Sequence, residues 1–264
     1  MSPKPDAFDM VVEMLRQSPT EQSRFPPTEL FSEGWMLRLL LHSAYDGTGG
    51  MPFELAAGAT WYSEALLASA FAPRQRGDEF GEGTTHADGV IGHIEFRPGT
   101  NAGLALSPTA TQFVVTEAKM ASKLAPGTTK VRWFDQGVRN IAAMAWAIHK
   151  SSVPVEQLNS LGFWVFAPTY RIEEEATFNE YLTIDSINSK INRRINLYTD
   201  DRAAIERLEG FRTETLTALL GRIEVGLVSW ETLLESVEPG LQEPLMDFYQ
   251  SCLQFNASPW ERTH

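Results

Sequence analysis

Cysteine is nearly absent. The single Cys252 cannot form an intramolecular disulfide and supports no cysteine-based zinc cluster; lying among apolar residues, it reads as a small core side chain. No run of about 18 apolar residues occurs, so no segment is expected to span a membrane. The N-terminal MSPKPDAFDM lacks the apolar stretch of a signal peptide, and a cytoplasmic protein is the expectation. Positive charge is scarce as well: 22 Lys and Arg stand against 34 Asp and Glu, for a formal charge of -12. That balance argues against nonspecific nucleic-acid binding over the whole surface, which needs basic groups to displace phosphate counterions. A local basic cleft stays open. The histidines (His42, His86, His93, His149 and His264) show no His-x-x-x-His spacing, which argues against a His-rich zinc site. Gly47-Thr48-Gly49-Gly50 lacks the lysine of a phosphate loop and reads as a turn, and no Gly-x-Ser-x-Gly elbow occurs.

What is present is globular in character. With 264 residues and 43% hydrophobic side chains, the chain is large enough for one generous core, alone or with a smaller appendage. Residues 1–27 hold five of the fifteen prolines around an amphipathic run at Phe8 to Leu15, which predicts a helical arm followed by an extended linker. From Thr28 or Ser32, Leu30, Phe31, Met36, Leu37, Leu40 and Leu41 form a helical stripe. The same spacing predicts a second helix over Trp61 to Phe71. The period then changes: His86 to Phe96 alternates like a strand, and Gln112 to Met120 (QFVVTEAKM) begins β-branched and apolar, with a Gly/Pro/Ser-rich stretch between them. A helix is expected from about Trp133 to His149, and LGFWVFA at Leu161 to Ala167 reads as a buried strand. Beyond Tyr170 the pattern reads as helical again, around Glu180 to Leu197, Asp201 to Leu220, Ser229 to Val237 and Leu241 to Phe255. The expected architecture is α/β, a mixed central sheet flanked by helices, with an N-terminal arm over residues 1–27, a core over 28–170 and a helical C-terminal extension over 171–264.

Charge is unevenly spread. Residues 117–150 carry six basic and two acidic groups, whereas residues 200–247 carry four basic and eleven acidic. Within the basic segment, Glu117 and Lys119 close a strand-like run, and alternate strand residues share a face. A carboxylate and an ammonium projecting together from a buried strand are costly unless they face a cleft. Asp88 lies in the preceding strand region, and pairing of the two strands would bring the carboxylates together. Two carboxylates and a backbone carbonyl make a hard-oxygen site suited to Mg²⁺ or Mn²⁺. Each residue also has a plainer role open to it: Glu117 with Lys119 as an edge ion pair, Asp88 as a turn cap before Gly89, Glu33 as a helix N-terminal acid, and Gln136 as helix surface.

Asp88, then Glu117-x-Lys119 at a strand end, then a helix carrying Gln136, resembles the PD-(D/E)xK nuclease superfamily. The resemblance covers roughly residues 28–170, and Ala87 stands where the motif's proline would be. It implies a restriction-endonuclease-like core and a Mg²⁺ (or Mn²⁺) ion held by Asp88, Glu117, the Ala118 carbonyl and Glu33. It also implies a catalytic set of Asp88, Glu117, Lys119, Gln136 and Glu33, with Arg139 or Asn140 one turn beyond Gln136. The activity implied is hydrolysis of phosphodiester bonds in nucleic acid, DNA first. The alternative is a non-catalytic binding or assembly module of the same fold, pairing with a second copy or another protein through its acidic helical extension.

Overall fold

Strand β5 (Gln112–Ala118) is buried at every residue, as a run of Phe, Val and Thr requires when it occupies the middle of a sheet covered on both faces. In a computed structural model describing residues 7–127 and 130–256, β5 pairs antiparallel with β2 (Thr84–Gly92) and parallel with β6 (Ser160–Ala167). β1 (Thr60–Ala68) extends the sheet antiparallel beyond β2, and β7 (Glu224–Ser229) extends it parallel beyond β6, giving the order β1-β2-β5-β6-β7. A separate short hairpin joins β3 (Ile94–Phe96) to β4 (Leu104–Leu106). Residues 1–6 of the arm and residues 257–264 of the tail, His264 among them, lie outside the described residues.

One face of the sheet is covered by α3 (Gln136–Ser151) and, behind it, α6 (Ile184–Ile195) and α7 (Arg202–Phe211). Phe113 and Val115 of β5 and Phe163 and Val165 of β6 pack here with Ile141, Ala145 and Ile148. The opposite face receives α2 (Glu33–Tyr45), α9 (Trp230–Glu235) and α10 (Pro239–Asn256), which bury Val114, Ala118, Trp164 and Phe166 against Leu37, Leu41, Trp230 and Tyr249. Helices α4 (Thr169–Glu174), α5 (Ala176–Tyr181) and α8 (Thr217–Leu220) complete the crossover from β6 to β7. The N-terminal helix α1 (Ala7–Gln17) buries no residue. Capping agrees with local chemistry: Ser32 accepts from Trp35 N–H at the start of α2, and Asp135 accepts from Gly137 and Val138 N–H at the start of α3. Among the described residues, no helix is long and apolar enough to cross a membrane.

Two local expectations are corrected. The segment expected to be a second helix, Trp61 to Phe71, is instead strand β1 as far as Ala68 and then a turn. The extension after Tyr170, expected to be helical, also contributes β7, in the interval between the expected helices Asp201 to Leu220 and Ser229 to Val237. Both errors have a physical cause. In β1 and β2 the alternation breaks at one level: Glu64 has φ of 55°, and neither Glu64 nor Asp88 joins the ladder between Ser63↔Gly89 and Ala65↔Ala87. Across this kink Tyr62 and Ala65, three residues apart, face the same core layer, so the apolar spacing imitates a helix. β7 is an edge strand of intermediate burial, and its short apolar run carries no clean period 2.

Gly226 places β7 against β6, since any Cβ there would overlap the Trp164 ring. Gly226→Ala is expected to destabilise the protein by about 1–3 kcal/mol through overpacking. The loss should appear in urea as a shift of one transition; a second, separate transition would show β7 and its neighbours to be an independent unit. Cys252, fully buried and with its thiol pushed up to about 12 by burial, should resist a disulfide reagent at pH 8. Its labelling should appear in urea only with unfolding, and fast labelling of the native protein would contradict the packing of α10.

Candidate functional site

The sheet's central strand ends in charge. Glu117 has no exposed surface and Lys119 is 6% exposed; both follow Phe113 and Val115 onto the α3 side. Lys119 Nζ donates to Glu117 Oε1 at 2.5 Å. Gln136, the first residue of α3, donates its Nε2 to the same oxygen at 2.5 Å. One turn on, Asn140 Nδ2 donates to Glu117 Oε2 at 2.9 Å. A buried carboxylate is therefore met by one ammonium and two amides, which is how an ionised group is retained away from water.

Asp88 reaches the same place from β2. At the kink its side chain turns toward the neighbouring strand, and Oδ2 accepts from Ala118 N–H at 2.8 Å, where the β2–β5 ladder has already ended. Glu33 approaches from the first turn of α2 and accepts from Met120 N–H through Oε2 at 2.7 Å. Lys119 is held by its backbone as well: its N–H donates to Phe166 O at 2.8 Å, and its carbonyl accepts from Trp230 Nε1 at 2.8 Å. Two strands and two helices thus bring together six side chains drawn from a span of more than 100 residues, Glu33 to Asn140.

The electrostatics are those of crowded carboxylates. Burial pushes the Glu117 carboxyl well above its ordinary value, the negative charge of Asp88 adds to this, and Lys119 opposes it. Burial likewise raises Glu33, against the pull of Lys119 and the Met120 N–H. For Lys119 burial works against the charge, but Glu117, Asp88 and Glu33 outweigh it and hold the ammonium above its ordinary range. Three carboxylates face one cation.

That surplus of negative charge suits a divalent ion, as does the chemistry of the donors, which are hard oxygens from Asp88, Glu117 and Glu33 with the Ala118 carbonyl beside Asp88. A further acceptor, Asn140 Oδ1, is buried in this cluster without a hydrogen-bond partner. Among the described residues, no three His, Cys, Asp or Glu side chains are grouped closely enough to enclose a metal by themselves.

The remaining candidates separate cleanly. Arg139 turns away from the carboxylates and pairs with buried Glu82, whose other oxygen lies 3.3 Å from Arg194 Nη1. His86 is exposed on β2. His93 lies 3.1 Å from the Ala57 carbonyl, His149 lies 3.1 Å from Thr215 Oγ1 and His42 lies 3.4 Å from Asp46. Asn140 could be anticipated from its i+4 spacing to Gln136, whereas nothing in the sequence near Lys119 announces Trp230, 111 residues away. No protein-family model, curated protein or solved structure matches the chain.

Asn140→Ala removes a donor to a buried carboxylate oxygen and should cost about 1–3 kcal/mol in urea unfolding without metal. Gln136→Ala should cost less, because its half-buried position admits water to the vacated oxygen. Equal and negligible effects would show that neither amide carries the Glu117 charge.

Proposed function

We propose that the protein is a divalent-metal-dependent nuclease that hydrolyses phosphodiester bonds in DNA, acting in the cytoplasm. The observation that carries this reading is the juxtaposition of Glu117 and Lys119 on one strand face with Asp88 braced against Ala118 from the next strand. The order helix α2, strands β1, β2 and β5, helix α3, strand β6 supports it too, being the order that the PD-(D/E)xK resemblance implies. Asp88 and Glu117, with the Ala118 carbonyl and Glu33, would hold Mg²⁺ or Mn²⁺. When bound, such an ion supplies Lewis-acid polarisation of the phosphodiester and eases deprotonation of water.

The chain's own groups divide the remaining work. Lys119, kept protonated by its carboxylate neighbours, offsets negative charge that develops on the phosphate or orients the attacking water. Gln136 and Asn140 orient the Glu117 carboxylate, and Gln136 anchors the loop beside it through Ala125, whose N–H donates to Gln136 Oε1 and whose carbonyl accepts from Gln136 N–H. Glu33 ties the start of α2 to the end of β5 and contributes the third negative charge.

A second reading rests on a specific observation. Both oxygens of Glu117 already accept hydrogen bonds within the chain, as suits a structural network in a non-catalytic binding or assembly module, with a second copy or another protein docking on the acidic C-terminal helices. The two readings separate by experiment. Supercoiled plasmid with Mn²⁺ should be nicked by the wild type. Asp88→Ala, Glu117→Ala and Lys119→Ala should each lose on the order of 100- to 1000-fold in rate. Calorimetry should find Mn²⁺ binding retained in Lys119→Ala and lost in Glu117→Ala. Absence of both cleavage and Mn²⁺ binding in the wild type would leave the module reading in possession.

A further inference from the structure

Beside the carboxylates, at the start of α3, lies a cavity of about 310 Å³ walled by Trp133, Tyr181 and Leu124, with Lys123, Arg132 and Lys190 among its lining residues. Its composition is unusual for a protein of net charge -12. Lys190 Nζ sits 3.9 Å from the centre of the Tyr181 ring, and Arg193 lies 4.2 Å over Trp133. Among the described residues Arg132 is exposed and no carboxylate pairs with it, while Lys123 is exposed and only loosely matched to Glu175 at 4.0 Å. Lys190 is already committed to Asp135 at 2.7 Å, and Asp135 caps α3, so the helix terminus itself is closed to an anion. The least committed positive charge is therefore at the rim, on Arg132 and on the loosely paired Lys123, with the aromatic rings of Trp133 and Tyr181 beside it.

Gln136 connects this cavity to the site. It follows Asp135 of the cavity wall, donates to Glu117, and pins the loop segment at Ala125 between Leu124 and Pro126. An occupant whose aromatic part enters the cavity and whose anion meets Lys123 and Arg132 would extend past Gln136 toward the carboxylates.

We infer that this cavity binds one unstacked nucleotide of a single-stranded nucleic acid, so that the strand is gripped beside the carboxylate cluster. The inference rests on the nuclease reading for the direction of the strand and deepens it by naming the substrate class. The volume matches the smaller end of small-molecule sites, roughly 300 Å³, enough for one nucleotide and too small for a base pair. Aromatic walls recognise a base by its π-face, which a duplex keeps inside its own stack, and rim cations follow the phosphates.

The test is fluorescence anisotropy with a labelled 12-nucleotide single strand and a hairpin duplex of equal length, without divalent metal so that no cleavage occurs. The wild type should prefer the single strand by tenfold or more. Trp133→Ala should weaken single-strand binding by roughly tenfold, the scale of base–aromatic stacking, with little change for the duplex. Trp133→Phe keeps a stacking ring and should retain most of the affinity, which separates lost stacking from lost folding. Lys123→Ala and Arg132→Ala should each flatten the salt dependence of binding. No binding by the wild type, equal affinity for single strand and duplex, or Trp133→Ala binding like the wild type would each overturn the inference. Plasmid nicking tests the parent reading independently. Single-strand binding lost in Trp133→Ala with no Mn²⁺-dependent cleavage removes the nuclease and leaves the nucleotide site; cleavage that needs Asp88 with Trp133→Ala binding unchanged does the reverse.

Discussion

Glu117 carries a carboxylate into the centre of the molecule, and much of the local architecture exists because that charge must be met. A lone ionised carboxylate in a low-dielectric interior is too costly to persist. Here it is answered from its own strand by Lys119 and from the facing helix by Gln136 and Asn140. These contacts set the rotation of α3 on the sheet, because Gln136 and Asn140 must face β5 while Ile141, Ala145 and Ile148 fill the apolar layer. They also fix the start of the helix close to the end of the strand. Breaking such a pair by deleting one partner is more damaging than never having had it.

The same arrangement recurs a short distance away. Glu82, almost fully buried, is paired with Arg139 from α3 and Arg194 from α6. Arg194, itself without exposed surface, lies over the Phe71 and Phe134 rings at 4.7 and 4.4 Å. Adjacent residues of one helix thus serve different clusters: Arg139 ties α3 to the loop before β2 and to α6, and Asn140 ties it to β5. The result is a helix whose position is over-determined at its N-terminal end, where the carboxylates and the basic, aromatic cavity meet. Rigidity there has functional sense, since a site built on a fixed strand end and helix start can hold several charged groups in one geometry.

The kink at Glu64 and Asp88 is the second constraint. By leaving the ladder at one level, the two strands free Asp88 from a position on either face and let it brace Ala118. A regular ladder would have kept its carboxylate on one face of the sheet. Gly89, next in sequence, allows the close approach, because a side chain there would collide with Thr116. The interruption weakens local pairing but supplies the approach of Asp88 to the end of β5.

The sequence by itself determined the α/β class, the buried central strands β5 and β6, the helices α2 and α3, and the shared face of Glu117 and Lys119, because each is written in local period and composition. It also flagged Asp88, Glu33 and Gln136 as chemically notable. Tertiary structure alone decided what period cannot express. It turned most of Trp61 to Phe71 into a strand, because the left-handed residue at Glu64 resets which face each side chain takes. It drew β7 out of a tail that reads as helical, because Gly226 fits beneath Trp164 and the edge of β6 needs a partner. It chose Asn140 over Arg139 as the neighbour of Glu117, because buried Glu82 claims the arginine. Local sequence sets the torsions a segment prefers, whereas the pairing of buried charges depends on which segments meet, and that is settled only when the whole core closes.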